Sequence, residues 1–149
     1  MASLLAQVEA VLAARPDQSQ AWKALDLGSL GFEIPLDIRS CWIFVLRAGA
    51  TFGPERHPNS HQRTLALSGQ ALFELRDDDS WSAWPVSATP DGVRATSVIS
   101  IPRSVWHRIQ VGPENFVSVS FHTVPVEELI EQTPVGDDFS ITTERLYHA

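Results

Sequence analysis

Apolar positions along this chain keep two different periods. Over residues 1–30 they recur at helical spacing. In SLLAQVEAVLAAR, Leu4, Leu5, Val8, Val11 and Leu12 share one stripe, Ser3 stands where an N-cap is wanted, and Pro16 ends the helix after Arg15. Asp17 then caps a predicted second short helix, with Trp22 and Leu25 on one side and an end near Gly28. From residue 31 the pattern shortens to runs of strand length separated by glycine, proline and aspartate. CWIFVL (41–46) is a continuous apolar run, and QALFEL (70–75) alternates with Ala71, Phe73 and Leu75 on one face. Asp77, Asp78 and Asp79 read as a solvated hairpin tip, followed by a short strand holding Trp81 and Trp84. TPDG (89–92) and GPEN (112–115) are turn sequences bracketing two strands, VRATSVISIP and VWHRIQV. FVSVSFH (116–122) shows the cleanest alternation. PVEELIEQ (125–132) predicts a short C-terminal helix with Pro125 at its first position, and the polar tail to Ala149 carries no pattern. The expected chain is thus mostly β. A helical extension over 1–30 packs on a sandwich or jelly roll over 31–149. No period of 20–50 residues repeats, which removes solenoids and propellers.

Composition narrows the function classes. At 149 residues, with 44% hydrophobic and 19% charged positions, the chain makes one domain able to build a core without disulfides. Its 11 basic and 18 acidic residues give a net charge of −7 and no basic cluster, so nucleic acid is not the expected partner. The single cysteine, Cys41, lies in an apolar run and is expected to be buried. No signal-peptide pattern and no run of about 18 apolar residues is present, so no membrane partner is expected and the cytoplasm is the expected compartment. The only lysine, Lys23, falls in a predicted helix, against Schiff-base chemistry. Phosphate-cradling glycine motifs and a nucleophile elbow are both missing.

The chemistry concentrates between Gly49 and Gly69, in GATFGPERHPNSHQRTLALSG. Glu55 and His57 would share one face of a strand, about 7 Å apart along the chain. Oxygen and imidazole ligands suit Fe, Mn, Ni or Zn. A third ligand is available in His107, set in a strand-like stretch fifty residues on. Glu55 has an alternative as a surface partner of Arg56, Arg63 or Arg103. His61 and Gln62 fall on opposite strand faces, and hydrophobic alternation with Leu65 and Leu67 favours His61 inside. In FVSVSFH, alternation makes Val117, Val119 and Phe121 the core face and turns Ser120 and His122 outward. His148 reads as a solvated tail residue.

These stretches resemble the two motifs of the cupins, small β-barrels of the double-stranded β-helix type. Gly49, Glu55, His57, Gln62 and Gly69 reproduce the first motif's spacing, and Thr96, Pro102, Ser104, His107 and Val111 that of the second. Glu55 stands where the first histidine is usual, and Gln62 where the glutamate is usual. The resemblance implies a barrel over about residues 41–123 with Glu55, His57, His107 and Gln62 turned inward. Gln62 would be a weak neutral ligand or a hydrogen-bonding partner of substrate. HPNSHQ and Ser120-Phe121-His122 look like the thiol dioxygenase branch, which implies Ser120 and His122 beside the metal. Val124 occupies the position of that branch's tyrosine, and its substrate-binding arginine has no counterpart. If Gln62 and His122 face the barrel, then Leu65, Leu67, Val117, Val119 and Phe121 need cover from the helices or a second copy, and a homodimer is expected.

The resulting expectation is a cupin-type protein that binds a small organic molecule in the barrel mouth, as a metal-dependent dioxygenase favouring Fe(II), with Zn, Ni or Mn as other candidate ions. His122 and Ser120 would serve catalysis, and Trp42, Thr64, Trp84 and Trp106 would wall the pocket. A non-catalytic sensor with a lost metal site and a metal-free isomerase or epimerase are the alternatives.

Overall fold

The computed structural model describes residues 2–31, 33–89 and 95–147. It opens with one helix, α1 (Ala2–Ala13), in which Ser3 lies inside the first turn rather than capping it. Instead of a second helix, Gln20–Leu25 forms strand β1, hydrogen-bonded antiparallel to β2 (Ser40–Leu46) with Trp22 opposite Phe44. The Trp22 and Leu25 spacing that suggested a helix has a different cause. Ala21 and Leu25 face α1, while Trp22 looks into the barrel, and a ladder to β2 overrides local propensity.

Nine strands make two facing sheets. One has the order β1-β2-β9-β4-β7, with β4 Gln62–Ser68, β7 Val98–Ile101 and β9 Phe116–His122. The other has the order β3-β8-β5-β6, with β3 Thr51–Glu55, β5 Gln70–Asp77, β6 Ser80–Ser87 and β8 His107–Val111. Trp42, Phe44, Phe73, Val86, Ile99 and Phe116 fill the space between them. A second apolar layer lies outside the larger sheet, where Val8 and Leu12 of α1 cover Cys41, Ile43, Val45, Val117 and Val119. This layer resolves the conflict in FVSVSFH. Both faces of β9 are buried, so Ser118, Ser120 and His122 enter the barrel while the valines pack beneath α1. On β4 the inner face is Gln62, Thr64 and Ala66; His61 and Leu67 are exposed.

The expected C-terminal helix is also replaced. After Pro125 a single 3-10 turn (Val126–Glu128) leads into a hairpin of β10 (Ile130–Val135) and β11 (Asp138–Leu146). Backbone bonds between Arg56 and Gln132, at 3.0 and 2.9 Å, fasten β10 beside the end of β3. Phe139 near the hairpin tip packs on Trp81 and Trp106. The β-branched run Ile141-Thr142-Thr143 is the strand signal in the tail. Most of the TPDG turn (residues 90–92) and His148 lie outside the described residues. Among the described residues no helix is long and apolar enough to cross a membrane.

Candidate metal centre

Glu55 reaches the barrel because β3 is bulged. Phe52 pairs with Ile109, but the next partner of His107 is Glu55, so β3 carries one extra residue across that step. Gly53 sits in the bulge at φ +83°, and a Cβ there would lie 2.7 Å from the carbonyl oxygen of His107. Only glycine lets β3 approach β8 this closely.

One ligand atom each from Glu55, His57 and His107 lies within 4.8 Å of the others. The His57 and His107 ring centroids are 5.6 Å apart, close enough for one shared ion. Backbone carbonyls orient both rings. The Nδ1 of His57 is 2.9 Å from the Ile130 carbonyl and that of His107 is 3.2 Å from the Val105 carbonyl. A carbonyl only accepts, so each Nδ1 carries the proton and each Nε2 keeps its lone pair. The Nε2 of His107 is fully buried without a hydrogen-bond partner, 3.4 Å from Glu55 Oε1. Protons fixed on Nδ1, basic Nε2 atoms pointing together, a carboxylate between them and one orphaned nitrogen suit a divalent transition metal. Arg56 and Arg63 are engaged elsewhere, with Gln132 and Asp37, which removes them as surface partners of Glu55.

His122 closes a third side, its ring 5.1 Å from that of His57. Ser60 Oγ donates to the His61 carbonyl at 2.8 Å and accepts from the Thr123 amide at 3.0 Å. It is therefore an acceptor for His122 Nδ1 at 3.3 Å, which leaves Nε2 of this ring unprotonated too. Burial, with the other two imidazoles adding to it, pushes His122 well below the ordinary histidine range. Burial also lowers His57, partly offset by Glu55. The Ser–His relay implied by the thiol dioxygenase likeness does not form, because Ser120 Oγ bonds Thr64 Oγ1 at 2.8 Å and His122 turns to Ser60. Gln62 joins that hydroxyl pair through Nε2 at 3.0 Å from Thr64, and its Oε1 is buried without a partner.

Three residues of the C-terminal hairpin region complete the site, and none was anticipated. Glu131 lies beside Glu55 and accepts from Arg145 Nε at 2.8 Å. Tyr147, the only tyrosine, packs 5.7 Å from His57 and 5.5 Å from Trp42. The two carboxylates diverge in acidity. Burial opposes ionisation of Glu55, but the neighbouring imidazoles of His107 and His57 and a hydrogen bond from Glu131 outweigh it and hold the group at about 2. Burial and the Glu55 charge raise Glu131 to about 7 against the pull of Arg145. Burial next to both carboxylates drives the Tyr147 phenol up. Asn59 secures this region to the metal loop: its Nδ2 donates to the Glu128 carbonyl at 2.6 Å and its Oδ1 accepts from the Ile130 amide at 3.2 Å.

A cavity of about 250 Å³ opens onto the cluster. Gln62, Thr64, Ser118 and Ser120 form its polar wall, while Phe52, Phe73 and Ile109 form the facing apolar wall. Of the four pocket residues expected, Thr64 lines it and the tryptophans do not. Trp42 is fully buried behind Trp22 and Tyr147, Trp106 packs against Phe139 and Arg56, and Trp84 is 49% exposed on edge strand β6. Trp22, assigned to a helix from its spacing, is the tryptophan that reaches the cavity.

No protein-family model and no curated protein matches the chain. Solved structures do. The capsular polysaccharide assembling protein CapF from Staphylococcus aureus superposes with a TM-score of 0.56 at 20% identity over 72% of this chain and 29% of that one. The coconut allergen cocosin gives 0.58 at 20% identity over 79% and 29%. Oxalate oxidase in complex with the substrate analogue glycolate gives 0.52 at 20% identity over 70% and 51%. The chain thus spans about half the length of these structures or less, and the likeness shows a cupin-type jelly roll.

Proposed function

We propose that the chain is a metal-dependent cupin that oxidises a small organic molecule in its barrel, with Fe(II) held by Glu55, His57 and His107. The observation behind this reading is the convergence of two imidazole nitrogens and a carboxylate within 4.8 Å, with both rings fixed in the ligating tautomer. Two histidines and one carboxylate, leaving other positions open, are the donor set of non-haem iron oxygenases. An oxalate oxidase among the structural neighbours supports oxidation of a small acid as a chemistry this fold accommodates.

Bound Fe(II) would supply redox chemistry towards O₂ and Lewis-acid activation of a substrate oxygen. The protein's own groups do the rest. Glu55 contributes charge as well as geometry. His122, neutral and holding its Nδ1 proton on Ser60, presents an unprotonated Nε2 that can take a proton from bound substrate. Glu131 keeps a proton beside Glu55 up to near-neutral pH, available to a product oxygen. The Trp22, Phe44 and Phe52 side of the cavity keeps water from the reacting end.

Anaerobic Fe(II) titration of the parent, Glu55→Gln and Glu55→His proteins tests this. Glu55→Gln keeps the size and removes the charge, so affinity falls by about tenfold or more; Glu55→His retains it. Equal affinities in all three would remove Glu55 from the site. No binding by any would leave the non-catalytic sensor reading in place.

A further inference from the structure

The cavity carries one cationic side chain, Arg145, and it is only half used. Its Nε is bonded to Glu131 Oε1 at 2.8 Å, while Nη1 and Nη2 make no hydrogen bond among the described residues. The side chain lines the cavity and is 59% exposed, so those two donors are open to solvent. A guanidinium fork with two free N–H edges is shaped for a carboxylate. Besides the His57–Glu55 cluster, the cavity is lined by Phe44, Leu46, Phe52, Phe73 and Ile109 on its apolar side and by Gln62, Thr64, Ser118 and Ser120 on the other. A bound divalent cation would exceed the charge of Glu55, and the Glu131–Arg145 pair adds no net negative charge, so an anion balances the site.

We infer that the substrate is a small monocarboxylate with an apolar face of aromatic size, its carboxylate held by Arg145 and that face laid against the wall of Phe52, Phe73 and Ile109. The inference takes the reacting end of the molecule from the metal-centre reading above, but its two recognition elements stand on the cavity alone. A volume of about 250 Å³ is near the lower end of ligand pockets, which limits the body to about one ring with a short side chain. A dicarboxylate as short as oxalate leaves the apolar wall uncovered, and a longer one brings a second charge into a cavity whose lining holds no second arginine or lysine to receive it. Bonding to Glu131 alone would need only the Nε edge, and it does not account for the two unused donors.

The test is calorimetric titration of the full-length chain with 3-phenylpropionate, 3-phenylpropan-1-ol and oxalate, both with a chelator present and loaded with redox-silent Zn(II). The parent should bind 3-phenylpropionate about tenfold or more tighter than the alcohol in both states, and tighter than oxalate. Arg145→Gln should shrink the acid-over-alcohol preference to about threefold or less, and Arg145→Lys, which keeps the charge and loses the fork, should fall between Arg145→Gln and the parent. A purely structural role for Arg145 would weaken both ligands equally and leave the ratio unmoved. A parent without acid preference, a preference that survives in Arg145→Gln, or tighter binding of oxalate overturns the inference. If Arg145→Gln fails to fold, the parent's three-ligand comparison and Arg145→Lys still decide it. Metal binding without acid preference sinks this inference and spares the metal centre. Acid preference in a protein that binds no metal does the reverse.

Discussion

Replacing Gly53 with alanine separates the metal centre from the fold without touching a ligand. Gly53 has φ +83°, where an L side chain costs about 1–2 kcal/mol. Its new Cβ would stand 2.7 Å from the His107 carbonyl oxygen and 3.1 Å from Arg108 Cα. Both contacts are backbone, so no flexible side chain can yield. Restoring an ordinary 3.4 Å contact moves β3 away from β8 by about 0.7 Å. Glu55 lies two residues on and is registered opposite His107, so its carboxylate moves with the strand. Metal sites tolerate about 0.2 Å in ligand distance, so affinity should fall by about tenfold or more. Two controls calibrate this. Gly49→Ala meets φ +72° with nothing within 4 Å, so it should cost about 1–2 kcal/mol and leave metal binding alone. Gly69→Ala meets φ +72° and drives Cβ into the Asn115 carbonyl oxygen, just before β9 and seven residues from His122. It should destabilise more than Gly49→Ala and still bind metal like the parent. Urea unfolding and anaerobic Fe(II) titration of the three variants supply both readings. Parent-like affinity in Gly53→Ala would refute the role given to the bulge.

Two further outcomes follow from buried titratable groups. In chelator-treated protein, His57 and His122 titrate below their unfolded value near 6.5, so the unfolded state binds more protons just below that pH. Their contribution is complete above about 6.5 and is lost as pH falls. Glu131 acts in the opposite sense between about 4.5 and 7, because its folded carboxyl keeps its proton longer. Two histidines against one carboxyl leave stability falling from pH 6.5 to 5, at up to about 1.4 kcal/mol per pH unit, in urea unfolding with a chelator present. His122→Gln should flatten that slope, and an unchanged slope would contradict its buried neutral state. The Cys41 thiol, raised by burial to about 12 and completely enclosed, should resist a thiol reagent such as dithionitrobenzoate at pH 8 until the chain unfolds; labelling at a free-thiol rate would contradict its place beneath α1.

Spacing made the metal centre legible where hydrophobicity could not. The intervals from Gly49 to Gly69 place Glu55, His57 and Gln62 inside although Leu65 and Leu67 argue for the other face. Alternation failed on β4 and β9 for one physical reason: it assumes one wet face. β9 has none, since α1 supplies a second apolar layer behind the valines, so serine and histidine could be the inward residues. Periodicity also failed over residues 20–25, where six residues with two large apolar side chains three apart fit a helix as well as an edge strand. Only the ladder to β2 decides between them.

The C-terminal hairpin marks where sequence reading stopped, and the cause is its exposure. Its second strand is polar on most of its length, so β11 alternates weakly and leaves seven of its nine residues exposed. Its contribution comes from single residues at the end nearest the cluster: Glu131 opposite Arg145 in the hairpin ladder, and Tyr147 just beyond it. No local pattern announces them, because each gains its role from a neighbour far away in sequence, Glu131 from Glu55 and Tyr147 from His57 and Trp42. The missing signal was nonetheless compositional. The chain's one tyrosine, placed after Thr142, Thr143 and Glu144 near its end, packs its ring against His57 and Trp42. The candidate ligands thus stand on the barrel, with His57 oriented by the Ile130 carbonyl of β10, whereas Glu131, Arg145 and Tyr147 are brought to the cavity by the hairpin region. On the reading proposed above, side-chain variants at Arg145 in β11 should alter ligand preference before they alter metal affinity.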